Sequence, residues 1–236
     1  MQKTDATRRV SLKNLWTKLR FVIILSVCYT AISFGYSFIG FAIRQPTVHF
    51  HEYTPSRFFL EVGGHFAFGV IAALPLMDIS LMLLAGAMAV GIDSDHILGA
   101  LNLSISGRPD HSFLYAIISA FFLVLIAKRV VPNGAVNGKK GQERDKKRGR
   151  KEIMIRKILL VPPITLLAHI SFDIFAAYRI FPSVPPGGGA SFPLFVPFSF
   201  QTVQFGYSAW IWFEITALVI AVVGYFWSGR VNLGHS

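Results

Sequence analysis

The chain has 236 residues, of which 53% are hydrophobic and only 15% are charged. Soluble domains average about a quarter charged residues, so this composition excludes an ordinary soluble domain and indicates a membrane protein. The formal net charge of +11 is concentrated in two segments: residues 1–20 hold six basic residues and one acid, and residues 139–157 hold ten and three. Basic clusters beside membrane spans are typical of cytoplasmic loops, so no nucleic-acid partner is expected.

Six apolar runs are long enough to cross a bilayer, because about 18 residues with few charges span roughly 30 Å of hydrocarbon. The predicted spans are residues 21–43, 58–77, 79–101, 112–131, 158–181 and 207–228. They predict an all-α fold, an integral membrane helical bundle of about six transmembrane helices. We expect a multi-pass protein of the cell (inner) membrane.

The charge distribution predicts the orientation of this bundle. Residues 1–20 are expected to form a basic cytoplasmic N-terminus, and six spans then place the C-terminal tail, 229–236, on the same side. The single membrane-embedded domain, 21–228, is interrupted by a basic loop, 132–157, which also falls on the cytoplasmic side. This loop is so poor in apolar residues that we expect it to be disordered. The basic segments are expected to contact anionic lipid.

Residues 182–206 are rich in Pro, Gly and Phe and contain no charged residue. Non-helical backbone is tolerated at membrane depth only where it is buried in protein or lines a cavity. We therefore expect this segment to fold back over the mouth of the bundle, as part of a substrate site.

Ionisable residues lie within or beside four of the predicted spans, where lipid tolerates them poorly. Imidazole and carboxylate are the ligands that borderline and hard divalent metals prefer. The predicted metal ligands are His65, Asp93, His96, His111, His169 and Asp173. Taken singly, each has a simpler explanation, such as a hydrogen bond between helices. Together they predict an intramembrane site for one or two divalent ions, with zinc the expected metal.

The spacing and depth of these residues support a shared site. His169 and Asp173 are four residues apart, and Asp93 and His96 are three apart, so each pair shares one helix face. At 1.5 Å per residue, the predicted topology places all the candidates in the outer half of the bilayer. Asp95 points elsewhere on a regular helix and is the candidate general base.

The leading hypothesis is a membrane-embedded metal-dependent hydrolase that uses a metal-activated water on a phosphate ester or lipid-linked substrate. Arg108 would neutralise the developing phosphate charge. The alternatives are a divalent metal-ion transporter and a non-catalytic membrane scaffold with a structural metal. A transporter would place similar residues within its spans but often shows internal repeats, and none is evident here.

The ordered motifs resemble those of a known family, the LexA-binding-type, inner-membrane-associated metal-dependent hydrolases of bacteria and archaea. The matching residues are His65, Asp93/Asp95/His96, His111-Ser112, His169/Asp173 and the run Val196-Pro197-Phe198-Ser199. The resemblance covers roughly residues 60–200 and implies a small multi-span helical hydrolase. One departure is visible: the family has H-R-x-x-T-H-S where this chain has Ser106-Gly107-Arg108-Pro109-Asp110-His111-Ser112, in which the first His is missing and Asp110 replaces Thr.

Overall fold

The computed structural model describes residues 2–42, 47–48, 55–94, 105–106, 108–130, 142–180 and 190–229. These residues form six α-helices, which confirms the all-α prediction. The helices are α1 (Gln2–Ala42), α2 (Pro55–Ala72), α3 (Ile79–Ile92), α4 (Phe113–Val130), α5 (Gln142–Arg179) and α6 (Ala209–Gly229). The described residues also include four short strands in two antiparallel pairs, β1 (Thr47–Val48) with β2 (Ile105–Ser106), and β3 (Ala190–Phe192) with β4 (Val203–Phe205).

Four of the helices are long and apolar enough to cross a membrane. Their candidate spans are Leu15–Ile39, Phe113–Val130, Gly149–Arg179 and Ala209–Ser228. Large apolar side chains such as Val27, Phe121 and Phe226 are about 60% exposed on the outer faces of these helices. Contiguous apolar surface of this kind is suited to contact with lipid, so the structure supports a membrane protein.

The other two helices are shorter than the predicted second and third spans. The apolar part of α2 covers Phe58–Ala72, and α3 covers only Ile79–Ile92. At 1.5 Å per residue α3 is about 21 Å long, less than the ~30 Å of a hydrocarbon core. The third predicted span, 79–101, therefore extends beyond the C-terminal end of α3. Residues 95–101 lie outside the described residues.

A capped turn separates α2 from α3. Pro75 lies in a 3₁₀ turn, Leu74–Leu76, and cannot continue the hydrogen-bonding pattern of α2. Asp78 then caps α3, because its Oδ1 accepts hydrogen bonds from the backbone N–H groups of Ser80 and Leu81, at 2.9 and 3.4 Å.

Glycines bring α2 and α3 into close contact. A Cβ added at Gly69 would lie 2.6 Å from the backbone oxygen of Ala85, and one at Gly86 would lie 2.8 Å from a methyl group of Val70. Small residues at helix interfaces allow this approach. α3 is also packed against α1 and α5. Its N-terminal end is exposed at Met77 and Ile79, whereas Gly91 and Ile92 at its C-terminal end are buried.

α5 begins earlier than the sequence analysis expected. Residues 142–157, which were assigned to a disordered loop, form the first part of a continuous helix that ends at Arg179. Their Glu, Lys and Arg residues are good helix formers, so low hydropathy alone does not indicate disorder. The rest of the predicted loop, 132–141, lies between the described residues.

The two ends of the α5–α6 pair have different chemistry. At one end, Lys157 Nζ donates a hydrogen bond to the carbonyl of Leu76, at 2.6 Å, and lies 5.2 Å from the ring centre of Tyr225. At the other end, Arg179 lies over the ring of Tyr207 at 4.8 Å. We call these the Lys157 end and the Arg179 end, and α6 runs antiparallel to α5 between them.

Candidate metal centre

Four elements place ionisable side chains at one level of the bundle. His65 lies on α2, Asp93 is the residue that ends α3, and His169 and Asp173 are one turn apart on α5. His111 lies in a 3₁₀ turn, Pro109–His111, that leads into α4. All three imidazoles are at most 3% exposed, so a mainly buried cluster contains five potential ligands.

The donor atoms of this cluster lie within coordination range of a single centre. His65, Asp93, His169 and Asp173 each offer a ligand atom, and these atoms all lie within 4.8 Å of one another. His65 Nε2 is 3.0 Å from Asp93 Oδ2 and 3.3 Å from Asp173 Oδ1. His169 Nε2 is 3.5 Å from Asp93 Oδ1 and 3.4 Å from Asp173 Oδ2. Tetrahedral zinc with bonds of ~2.0–2.1 Å has ligand–ligand edges of about 3.3 Å, close to these separations.

His111 extends the group on one side. Its Nε2 lies 2.9 Å from His169 Nε2, 3.6 Å from Asp173 Oδ2 and 3.9 Å from Asp93 Oδ1. His111 is therefore placed as either a fifth ligand to one ion or a ligand to a second ion.

The early end of α3 orients His169. The last four carbonyls of a helix lack partners within it, and here one of them belongs to Ala89. His169 Nδ1 lies 2.8 Å from this carbonyl oxygen, so Nδ1 carries the proton and donates it. The lone pair of His169 Nε2 then faces the cluster, which is the tautomer that metal coordination at Nε2 requires.

Asp110 orients His111 in the same way. The Oδ1 atom of Asp110 lies 2.9 Å from His111 Nδ1, which fixes the proton on Nδ1 and leaves Nε2 as an acceptor. Ser33 and Ser37 of α1 donate to Oδ2 of Asp110, at 3.0 and 3.3 Å. A carboxylate that accepts from the outer nitrogen of a metal-binding imidazole raises the basicity of the ligand.

With both outer nitrogens acting as donors, the two Nε2 atoms of His111 and His169 face each other as acceptors only 2.9 Å apart. Two facing lone pairs at this distance require a proton or a cation between them. A proton shared by the two nitrogens and a metal ion bound by both would each meet this requirement.

Arg108 completes the charge balance. Its Nη2 donates to Asp93 Oδ1, and its Nη1 lies 3.8 Å from Asp173 Oδ2. Arg108 has a left-handed φ of 39°, a conformation that costs a non-glycine residue of the order of 1 kcal/mol or more and is concentrated at functional sites. Asp93, Asp110, Asp173 and Arg108 give a formal charge of −2 with neutral imidazoles, which one divalent cation would neutralise.

Asp173 Oδ2 and His65 Nδ1 are among the buried polar atoms of the described cluster that have no hydrogen-bond partner. An unpartnered carboxylate oxygen is costly to bury, and Asp173 Oδ2 points at the group of imidazole nitrogens. The donor types, their spacing, their tautomers and their formal charge all fit a divalent metal ion.

Aromatic rings pack against the imidazoles of the centre. The rings of His65 and His169 stack at 4.1 Å, and Phe172 lies edge-on to His65 at 4.5 Å. Phe192, on β3, lies nearly parallel to His111 at 5.7 Å. β3 thus lies beside the cluster. Residues 181–189 lie outside the described residues, and the folding of segment 182–206 over the mouth of the bundle stays a prediction.

The predicted site residues fall into two groups in the structure. His65, Asp93, Arg108, His111, His169 and Asp173 come together, whereas His96 and Asp95 lie outside the described residues. Asp110 was noted only as a departure from the family pattern, although its position beside His111 was a usable signal. The role of Ser33 and Ser37 had no such signal, since they lie 77 and 73 residues before Asp110.

Comparisons with known proteins add no further assignment. No family model, no curated protein and no solved structure matches this chain. The functional argument therefore depends on the geometry of the site.

Proposed function

We propose that this protein is a membrane-embedded metal-dependent hydrolase that acts on a phosphate ester or lipid-linked substrate. The observation that carries this proposal is the convergence of three imidazole nitrogens and two carboxylates beside a guanidinium, within a bundle of apolar helices. Three His with carboxylates form a donor set suited to zinc, so one or two zinc ions are the proposed cofactor.

His65, Asp93, His111, His169 and Asp173 would hold the metal. A bound divalent ion supplies Lewis acidity and lowers the pKa of a coordinated water towards neutrality. Ala89 and Asp110 keep two of the imidazoles in the tautomer that presents Nε2. The buried rings of Phe172 and Phe192 lie against His65 and His111, and such apolar surroundings strengthen the electrostatic interactions of the site.

Arg108 favours an anionic substrate. Its guanidinium faces the same two carboxylates that would bind the metal. Once a divalent cation engages those carboxylates, the attraction between them and Arg108 weakens. A planar guanidinium at that position can bind two oxygens of a phosphate group.

The general base stays a prediction. Asp95 is two residues beyond Asp93, which ends α3, and this distance along the chain keeps it close enough to be proposed for proton transfer. The likeness to the LexA-binding-type hydrolases, the cytoplasmic termini and the placement in the outer half of an inner membrane belong to the same proposal. The positive-inside pattern of residues 1–20 and 139–157 supports that orientation.

The transporter alternative is disfavoured by the side chains between the cluster and the Lys157 end. Leu84, Met88, Val161 and Ile164 are fully buried there. A transport pathway requires polar contacts or water through both halves of the protein. Glu214 is a buried acid described in this region, but apolar side chains predominate there. The site is therefore better suited to chemistry reached from one side.

Metal analysis of the purified protein, followed by an activity assay, tests the proposal. We expect stoichiometric zinc in the wild type and its loss in the His169→Ala/Asp173→Ala double variant. We also expect hydrolysis of a generic phosphodiester or phospholipid that a chelator abolishes and added zinc restores. Stoichiometric metal without chelator-sensitive hydrolysis would favour the structural scaffold, and absence of metal from a folded wild type would refute the site.

A further inference from the structure

A second feature of the bundle is an apolar groove between α4, α5 and α6. Its volume is about 490 Å³, within the ~300–1,000 Å³ of typical ligand pockets. Phe113 and Ile117 line it from α4, Pro163 and Leu167 from α5, and Trp212 and Thr216 from α6. Ile117 and Trp212 are each more than 60% exposed, so the groove opens sideways, towards the lipid.

The groove starts at the level of the metal centre and runs away from the Arg179 end. Along α5, Leu167 lies two residues and Pro163 six residues below His169, or about 3 and 9 Å at 1.5 Å per residue. Ser171 Oγ donates to the carbonyl of Trp210, at 2.8 Å, which places the start of α6 at the same level. A molecule with its polar group at the metal would therefore have its apolar part directed towards the bilayer centre.

Contacts between aromatic rings connect the groove to the centre. Phe192, which stacks on His111, lies 6.2 Å from Phe205, and Phe205 lies 5.1 Å from Phe213 on the groove wall. Phe113, at the top of the groove, is two residues after His111 and donates its backbone N–H to Leu194 O, at 3.0 Å. The strand pair β3–β4 with its turn thus borders both sites.

We propose that this groove binds one acyl chain of a phosphate-headed lipid whose head group lies at the metal centre. The inference rests on the proposed function, since the phosphate is assigned to the metal and Arg108. The occupant follows from the apolar lining, the opening towards lipid and the depth below the ligands. The substrate class is thereby narrowed from phosphate esters in general to lipids with a long acyl chain.

A photoreactive lipid tests the groove without relying on catalysis. The probe is a phosphonate analogue of phosphatidic acid, which is not hydrolysed at that bond, with a diazirine in the middle of one chain. Diacylglycerol with the same labelled chain serves as the neutral comparison. Zinc-loaded full-length protein in nanodiscs is irradiated, and labelled peptides of α4 and α6 are quantified by mass spectrometry.

Two variants on α6 separate the groove from the general lipid surface. Thr216→Trp fills the groove, whereas Val219→Trp adds the same side chain at a residue that is 53% exposed and does not line it. In the wild type and in Val219→Trp, we expect the phosphonate lipid to label the groove peptides at least fivefold more than diacylglycerol does. Thr216→Trp, or removal of zinc with a chelator, should reduce the labelling to the diacylglycerol level.

Equal labelling by the two lipids, or equal labelling of both variants, would show ordinary surrounding lipid and overturn the inference. Failure of the hydrolase proposal has a different signature: the fivefold preference persists but no phosphate ester is turned over. Hydrolysis that is independent of chain length and unaffected by Thr216→Trp would overturn the groove while leaving the hydrolase intact.

Discussion

Replacement of Asp110 by Asn tests whether the cluster is built to bind a metal. Asp110 is fully buried and makes no proposed contact with the ion, but it accepts from His111 Nδ1 and from two serines. Asn has nearly the same shape and keeps one acceptor oxygen. The change therefore removes the negative charge behind His111 while leaving all five proposed ligands in place.

The expected effect is on metal affinity more than on stoichiometry. Loss of a group that hydrogen-bonds to a ligating imidazole typically weakens metal binding by about 10–100-fold, which corresponds to roughly 1.4–2.7 kcal/mol. We expect a value in the upper part of this range, because the carboxylate is buried and has no bulk water to replace its interaction with His111.

The assay is a competition titration of purified protein in detergent against a chelator of known zinc affinity. Asp78→Asn is a matched control, since Asp78 caps the N-terminal end of α3, opposite to the end at which Asp93 joins the cluster. Because Asn caps a helix about as well as Asp, the control is expected to keep both its stability and its metal affinity. A zinc dissociation constant for Asp110→Asn within twofold of wild type, in a protein that binds metal through His169 and Asp173, would refute this reasoning.

Three further predictions concern other parts of the structure. Gly69→Ala should destabilise the protein by about 1–3 kcal/mol, because the added Cβ meets the backbone oxygen of Ala85. Gly63→Ala has open space around its Cβ and should be neutral or stabilising. Thermal unfolding in detergent compares the two variants, and equal melting temperatures would contradict the packing. Glu214→Gln should keep the melting temperature or raise it, since both buried carboxylate oxygens of Glu214 lack hydrogen-bond partners. A loss of several degrees in the same assay would show that the carboxylate is needed. Metal affinity should fall as the pH decreases from 8 to 6, because protons compete with the metal for the imidazole nitrogens. The fall should be up to about tenfold per pH unit for each proton that the metal displaces. A pH-independent affinity in the competition titration would argue against histidine ligation.

Some of the site could be predicted because local spacing determines it. His169 and Asp173 are one helical turn apart, so any helix through them presents both on one face. The cost of placing ionisable groups in lipid then singled out His65 and Asp93 as partners. This reasoning needed no knowledge of how the helices pack.

Other features depend on contacts that the sequence does not show. Because α3 ends at Ile92, the carbonyl of Ala89 is left to accept from His169 Nδ1. The carbonyl of Ile92 lies 3.0 Å from Ser33 Oγ, whose single hydroxyl hydrogen is shared between this oxygen and Asp110 Oδ2. The serines of α1 acquire a role only when α1 packs beside the turn that contains Asp110. The start of α5 was misplaced because hydropathy, rather than helix propensity, defined the boundary.

The strand pair β3–β4 has a consequence for how such a protein diversifies. It places Phe192 beside the centre, but it contributes none of the five proposed ligands, which come from α2, α5, the residue that ends α3 and the turn before α4. Substitutions, insertions or deletions in this strand pair could therefore change access to the proposed ion while leaving its five proposed ligands in place.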